Sequence, residues 1–318
     1  MIQTALDELR TMLPAWLNKQ LPLWCQTKYI VGLTEGVYSL VLPTGVIDVL
    51  DVNLRTTVRL IGDATSSSGV ATNAFDGDFA TVCALVGPGD QNIALTLTDV
   101  TVVQTVGVLP ATSGVWNISF QWSADGVAWT TFYANPAYVA TDSQWLWVDA
   151  QGIPAVNYYR MVVAATSLPV SVRELVFANA GNEINMARIN RDDYFYLPDK
   201  NAKGRPVQFW LDRQRSNCTM NLWPAPDLAS RYRQITMIAA RQIEDVGTLQ
   251  QELEVPQLWW DATVDALAKR LAQITPEVKL EMLPVVKDAA EESLALAFAE
   301  NRDRSPINIV VDISAYTQ

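Results

Sequence analysis

From Thr56 to Phe177 the sequence has no run with helical spacing, whereas both ends of the chain do. That contrast constrains the fold most, because one element cannot satisfy a side-chain period of two and a period of 3.6 together. The middle segment offers a series of strand candidates instead: "NIALTLTDV", "TVVQTVGVLP", "WNISFQWSADGVAWTTFY", "QWLWVDA", "NYYRMVVAA" and "SVRELVFAN". Gly, Pro, Asp and Ser turns separate them at about the 8–12-residue spacing of antiparallel sandwiches. Asp125-Gly126 lies between "WNISFQWSA" and "VAWTTFY", a strong hairpin signal. The segment reads as one all-β antiparallel domain, a sandwich or jelly roll.

The flanks follow other rules. Thr4 to Leu17 reads as a helix capped by Thr4, with Leu6, Leu9, Leu13, Trp16 and Leu17 on one face and a kink expected at Pro14. "TKYIVGLTEGVYSLVLPTGVIDVLDVNLR" then alternates as strands, with turns at Glu35-Gly36 and Pro43-Thr44-Gly45. Beyond the β segment, "RINRDDYFYLP", "PVQFWLDRQ" and "CTMNLWPAP" read as strands around the polar turn "DKNAKGRP". A helix from Pro256 carries the apolar seam Trp260, Val264, Leu267, Leu271 and Ile274. Thr275-Pro276-Glu277 starts a second helix running to about Arg302, with an irregularity at Pro284. Ser305-Pro306 stops it, and an extended tail follows. The expected fold class is therefore multidomain α+β. Residues 1–55 and 178–318 form a mainly helical core with β hairpins and an extended tail at 305–318. The jelly roll, 56–177, is inserted into one of its loops, where long insertions cost little.

Composition removes several chemistries. The 318 residues include no histidine, which excludes Ser–His–Asp and Cys–His catalysis and His-ligated zinc together. Cys25, Cys83 and Cys218 are too scattered for a C-x-x-C metal motif, and three cannot form a paired disulfide framework. They read as small buried hydrophobes of a protein folded in a reducing cytosol. A net charge of −11 argues against general affinity for nucleic acid or anionic membranes. "MIQTALDELR" lacks the basic start and apolar core of a secretory signal, and no apolar run is long enough to span a bilayer. The eleven tryptophans call for large buried anchors or extensive interfaces.

Several motifs in order carry a resemblance: "YFYLPDKNAKGRPVQFWLDRQ" (194–214), "LWPAPD" (222–227), the stretch 240–278 around "PQLWWDATVDALAKRLAQI", and "NRDRSPINIVVDISAY" (301–316). With the N-terminal "MLPAWLNKQLPLW" and "EGVYSLVLP", they resemble the head-to-tail adaptor family of short-tailed bacteriophages. The resemblance implies a structural virion protein, not an enzyme. It would form a homo-oligomeric ring, commonly dodecameric, under the portal protein. That ring would join head to tail and line the DNA conduit, with nozzle, needle or fibre proteins beneath and no sequence-specific nucleic acid. The middle segment is similar to the discoidin (factor type C) jelly roll. "NAFDGDFATV" places Ala74, Asp76, Gly77 and Thr81 in that family's register, while Cys83 stands where the family has Trp. This second resemblance implies glycan or lipid-headgroup binding at loops, with a Ca²⁺ near the Asp-Gly turn.

Each candidate residue has a plainer reading beside it. Asp76 and Asp78 could supply oxygens to Ca²⁺, or Asp76 could cap a turn in which Gly77 takes the left-handed conformation. Trp116, Trp122, Trp129, Trp145 and Trp147 could stack on sugars or form core; in "QWLWV" Trp145 and Trp147 share one strand face, with Leu146 and Val148 on the other. Arg188, Arg191, Lys200, Lys203, Arg205, Arg213 and Arg215 could face DNA or an acidic partner, or form a solvated hairpin. Glu291-Glu292 suggests an acid pair, but adjacent helix positions diverge and mark a wet face. Trp259 and Trp260 cannot both face one core stripe, so one belongs to the core and the other to a portal or subunit interface or to a neighbouring helix. In the tail, Ile307, Ile309, Val311 and Ile313 share a face, with Tyr316 beyond them. That pattern suits strand addition to a neighbouring subunit or the portal, or folding back on the chain's own hairpins. Two functions compete: the adaptor ring, and a tail adhesin or carbohydrate-binding protein working through the jelly roll. A muralytic tail enzyme is a third, weaker option.

Overall fold

In the computed structural model the description covers residues 2–17, 23–214, 217–243, 253–275 and 278–301. Two compact units result, 1–27 with 240–318, and 28–239.

In the larger unit the period-two segments become two facing sheets. One has the order β4 (Gly62–Ser66), β6 (Gln91–Thr101), β11 (Val156–Val163), β8 (Gly114–Ser123), β9 (Thr130–Ala140), every pairing antiparallel. Ile93, Leu95 and Leu97, then Trp116, Ile118 and Phe120, then Tyr159, Met161 and Val163 all point to one core. The facing sheet contributes Val106 and Val108 of β7 (Thr105–Pro110), Val148 of β10 (Leu146–Asp149), Cys83 and Leu85 of β5 (Cys83–Leu85), and Val170, Val172, Leu175 and Phe177 of β12 (Val170–Asn185). The two sheets make the antiparallel sandwich expected of the middle segment.

This second sheet does not stop at the sandwich. Its full order is β1 (Gln26–Gly32), β18 (Gln234–Arg241), β3 (Val46–Arg59), β12, β7, β10, with β5 also on β12. β3 and β12 pair as a long antiparallel ribbon and run unbroken across positions 55/56 and 177/178. The sandwich therefore grows out of a strand pair and not out of a loop. A second core lies farther along the ribbon, built from Val49, Val52 and Leu54 with Phe209, Met220, Leu222, Ile235 and Met237. It includes a sheet of order β13 (Ala187–Arg188), β15 (Gln208–Arg213), β16 (Cys218–Trp223), β2 (Ser39–Val41). A two-stranded pair, β14 (Lys203–Gly204) with β17 (Ala225–Pro226), lies beside it in sequence.

The expectation of a mainly helical outer part is thus corrected: residues 28–55 and 178–239 are mostly strand. One part of that stretch errs the other way. "RDDYFY", read as a strand, is the helix α2 (Arg191–Tyr196), because the Asn190 side chain caps it by accepting from the Asp193 N–H at 2.8 Å.

The smaller unit holds α1 (Ile2–Leu17), α3 (Trp260–Ile274) and α4 (Met282–Glu300). Pro14 lies inside α1 without dividing it, and Pro284 falls in the first turn of α4, where its missing N–H costs nothing. Trp259 anchors the core, with ring centroids 4.7 Å from Trp24, 5.0 Å from Phe298 and 5.5 Å from Trp16. The seam expected to bury α3 does so only in part: Leu267 packs against the core and Leu271 is half-buried, whereas Trp260 is 55%, Val264 65% and Ile274 51% exposed. Ala262, Thr263 and Ala266 are buried in its place, small residues that let helices approach closely, as do Ala290 and Ala297 of α4. No described helix is long and apolar enough to cross a membrane.

Candidate functional site

The turn Asp76-Gly77-Asp78 is organised by its own carboxylates. Asp76 Oδ1 accepts from the Asp78 N–H at 2.8 Å and Oδ2 from the Thr81 hydroxyl at 2.8 Å, while Asp78 Oδ1 accepts from the Ala80 N–H at 3.0 Å. Gly77 sits at φ +76°, a region that side chains avoid, and an added Cβ would lie 3.0 Å from the Tyr232 hydroxyl. These residues fit Ca²⁺ poorly. Their carboxylates are turned onto the turn's donors, and no group of three or more potential His, Cys, Asp or Glu ligands occurs among the described residues.

Beneath the turn lies a buried acid. Between Val172 and Glu174 the pairing of β12 with β7 shifts register, which moves Glu174 off the sandwich core to the opposite face. There Glu174 is fully buried. It accepts from Arg59 Nη1 at 2.8 Å, from the Gly77 N–H at 3.2 Å and from the Tyr232 hydroxyl at 3.3 Å. Burial pushes its carboxyl up to about 7, against the pull of Arg59 and of the Gly77 N–H. Burial likewise raises the Tyr232 hydroxyl, with the Glu174 charge adding to it.

On the same face Trp145 and Trp147 stack with centroids 4.9 Å apart, and an added Cβ on Gly107 would fall 2.5 Å from the Trp147 ring. Phe79, one residue past the turn, stands edge-on to Trp145 (5.9 Å) and Tyr232 (6.1 Å). The Arg231 guanidinium lies 4.7 Å from the Phe79 centroid and 5.1 Å from that of Tyr232. Arg173 donates to the Phe79 carbonyl at 2.9 Å and pairs with Asp142 at 3.1 Å. Between these groups opens a cleft of about 360 Å³, floored by Leu109 and Trp145 and rimmed by Phe79, Arg173, Leu228 and Arg231, with Leu33 and Glu35 opposite. A mostly apolar concavity with a few convergent polar groups is the usual form of a small-ligand site.

The structure sorts the remaining candidates. Trp116 is core, Trp122 packs on the core, and Trp129 lies under the Arg160 guanidinium at 3.9 Å on the outer sheet face. Trp145 and Trp147 share a face, as their alternation predicts, and both are largely buried. The basic group is dispersed into local contacts: Arg188 and Arg213 on Asp48, Lys203 on Glu35 at 2.8 Å, Lys200 and Arg191 over Phe195. Arg205 is exposed, and Arg215 lies outside the described residues. Glu291 pairs with Lys269 at 2.9 Å on the wet face of α4, and Glu292 is exposed beside it. Of the tryptophan pair, Trp259 is core and Trp260 is exposed. Ile307, Ile309, Val311, Ile313 and Tyr316 lie outside the described residues. The sequence reading missed Phe79, Arg173, Glu174 and Arg231. One signal was present: two adjacent charged residues, Arg173 and Glu174, interrupt the apolar alternation of "SVRELVF", the mark of a bulge that turns both away from the sandwich core.

No family model matches the chain, and no curated protein matches it. Among solved structures, chitosan-binding module 1 of a chitosanase/glucanase from Paenibacillus sp. IK-5 is 24% identical, covering 39% of this chain and 97% of its own, with a TM-score of 0.33. The CBM32 of AlyQ, in complex with 4,5-unsaturated mannuronic acid, is 20% identical, covering 38% and 97%, with a TM-score of 0.34. An F5/8 type C domain from Bacteroides fragilis is 14% identical, covering 40% and 98%, with a TM-score of 0.34. These are partial likenesses, and the sandwich rests on the chain's own strand pairing.

Proposed function

We propose that this chain is a non-enzymatic carbohydrate-binding protein acting through its sandwich, the role expected of a tail adhesin. The observation that carries the reading is the cleft between Phe79, Trp145, Leu228 and Arg231. Its apolar floor suits the C–H faces of a sugar ring, and its rim supplies guanidinium donors for hydroxyl groups. The 56–177 segment supplies Phe79, Leu109, Trp145 and Arg173 to the cleft and the flanking stretches supply Glu35, Leu228 and Arg231, so in this reading the ligand is carried by the whole unit 28–239. Ca²⁺ has no part in it. The test is a glycan array with the full chain and with Leu228→Trp, whose added bulk crosses the cleft mouth from a position 57% exposed. Binding to a defined saccharide is expected, weakened about tenfold or more by Leu228→Trp at unchanged melting temperature. Absence of saccharide binding, or binding indifferent to Leu228→Trp, overturns the proposal.

A second reading, the head-to-tail adaptor ring of a virion, is favoured by the exposed residues of the α3 seam. Trp260, Val264 and Ile274 are each more than half exposed, an apolar stripe of the kind a subunit or portal contact uses. Trp260 is its proposed interface residue, joined by the tail positions Ile307, Ile309, Val311, Ile313 and Tyr316. Electron micrographs of the protein mixed with a portal ring test it.

A further inference from the structure

We infer that the cleft selects a saccharide bearing a carboxylate, a uronic-acid residue, through Arg231. This rests on the carbohydrate reading above and follows from the charges around the cleft. Three ionised side chains line it besides the apolar groups and the hydroxyls of Thr34 and Ser143: Glu35, Arg173 and Arg231. Glu35 is neutralised by Lys203 at 2.8 Å, and Arg173 by Asp142 at 3.1 Å. Arg231 is different. Among the described residues its guanidinium pairs with no carboxylate and donates no hydrogen bond; it lies over the Phe79 and Tyr232 rings.

An arginine held in this way presents a planar edge of N–H donors whose geometry matches a carboxylate in bidentate fashion. The two ring faces below it remove the freedom it would otherwise lose on binding, so more of the interaction appears as affinity. Phe79 is fixed in turn by its T-shaped contacts to Trp145 and Tyr232, and its carbonyl is tied to Arg173. The cleft thus combines an apolar floor, a single uncompensated positive charge and a volume of about 360 Å³, room for a short saccharide and not a long chain. A neutral sugar would satisfy the floor but leave the guanidinium without an anion. An acidic sugar satisfies both.

The test is calorimetry with paired trisaccharides of galacturonate, glucuronate and mannuronate, each against its carboxyl-reduced neutral counterpart, with the intact chain and with Arg231→Met and Arg231→Lys. At least one acid is expected to bind about tenfold or more tightly than its neutral counterpart, the gap narrowing in high salt. Arg231→Met, which keeps the apolar stem over Phe79, is expected to abolish the gap and leave neutral binding in place; Arg231→Lys retains part of it. Equal binding of acid and neutral forms, or a preference that survives Arg231→Met, overturns this inference alone. Failure of every saccharide to bind overturns the carbohydrate reading as well.

Discussion

Arg55→Ala is expected to lower the free energy of unfolding by about 3 kcal/mol. Arg55 is 7% exposed on the ribbon of β3 and β12. It joins Asp149 of β10 at 2.6 Å and Glu183 of β12 at 2.6 Å, and Asp149 also receives Lys28 of β1 at 2.5 Å. The network spans four strands of one sheet at the place where the sandwich passes into the second core. Burial works against the charged Arg55, but its bonds to Glu183 and Asp149 outweigh burial and leave it more firmly protonated than usual. For Asp149 the largest influence, burial, raises the carboxyl, yet Lys28 and Arg55 together hold it below the usual range. Removal of the guanidinium leaves Asp149 with Lys28 alone, in surroundings too dry to rehydrate it fully, whereas an exposed ion pair would cost under about 1 kcal/mol. Urea denaturation measures the difference. A loss of that smaller size would mean the junction is held by its apolar contacts alone.

Glu174→Gln is expected to change how stability depends on pH. Glutamate's ordinary value here is 4.5, and burial raises Glu174 to about 7 in the folded chain. Between those values the folded chain keeps a proton that the unfolded chain has released. The contribution is complete below pH 4.5 and is lost as pH rises through about 7. Integrated over that window it amounts to about 3 kcal/mol, at 1.36 kcal/mol per unit. Asp125, Asp142, Asp149 and Asp227 are shifted downward and act in the opposite sense, at acid pH below this window. The natural protein should therefore lose stability relative to Glu174→Gln between pH 5 and 8, read from chemical denaturation at several pH values. Parallel curves for the two proteins would show that Glu174 is ionised throughout.

How much of this could be read from the residues differs by element. The sandwich was legible because its strands alternate cleanly: Ile93, Leu95, Leu97 and Tyr159, Met161, Val163 face inward, with polar or small residues between most of them. The ribbon was not. Val46 to Arg59 is longer than the usual strand, and no turn signal marks where one core ends and the next begins. The α3 seam misled because apolar spacing reports which face wants cover, whereas Ala262 and Ala266 decided which face could pack closely. "RDDYFY" misled because aromatic residues suggested a strand, and the weight of Asn190 as a cap was overlooked. Of the cleft, only Trp145 was singled out in advance. Phe79, Arg173 and Arg231 come from three distant stretches, brought to one cleft by the Asp-Gly turn, the bulge in β12 and the helical turn Leu228–Tyr232.

The central claim is that the cleft beside the Asp76-Gly77-Asp78 turn is where a saccharide binds. The most direct measurement is a crystal structure of the full chain soaked with the saccharide selected on the array. The account predicts a sugar ring over Leu109 and Trp145, with its carboxylate against Arg231. A ligand found instead on the outer sheet face, at the Trp129 and Arg160 stack, would contradict it.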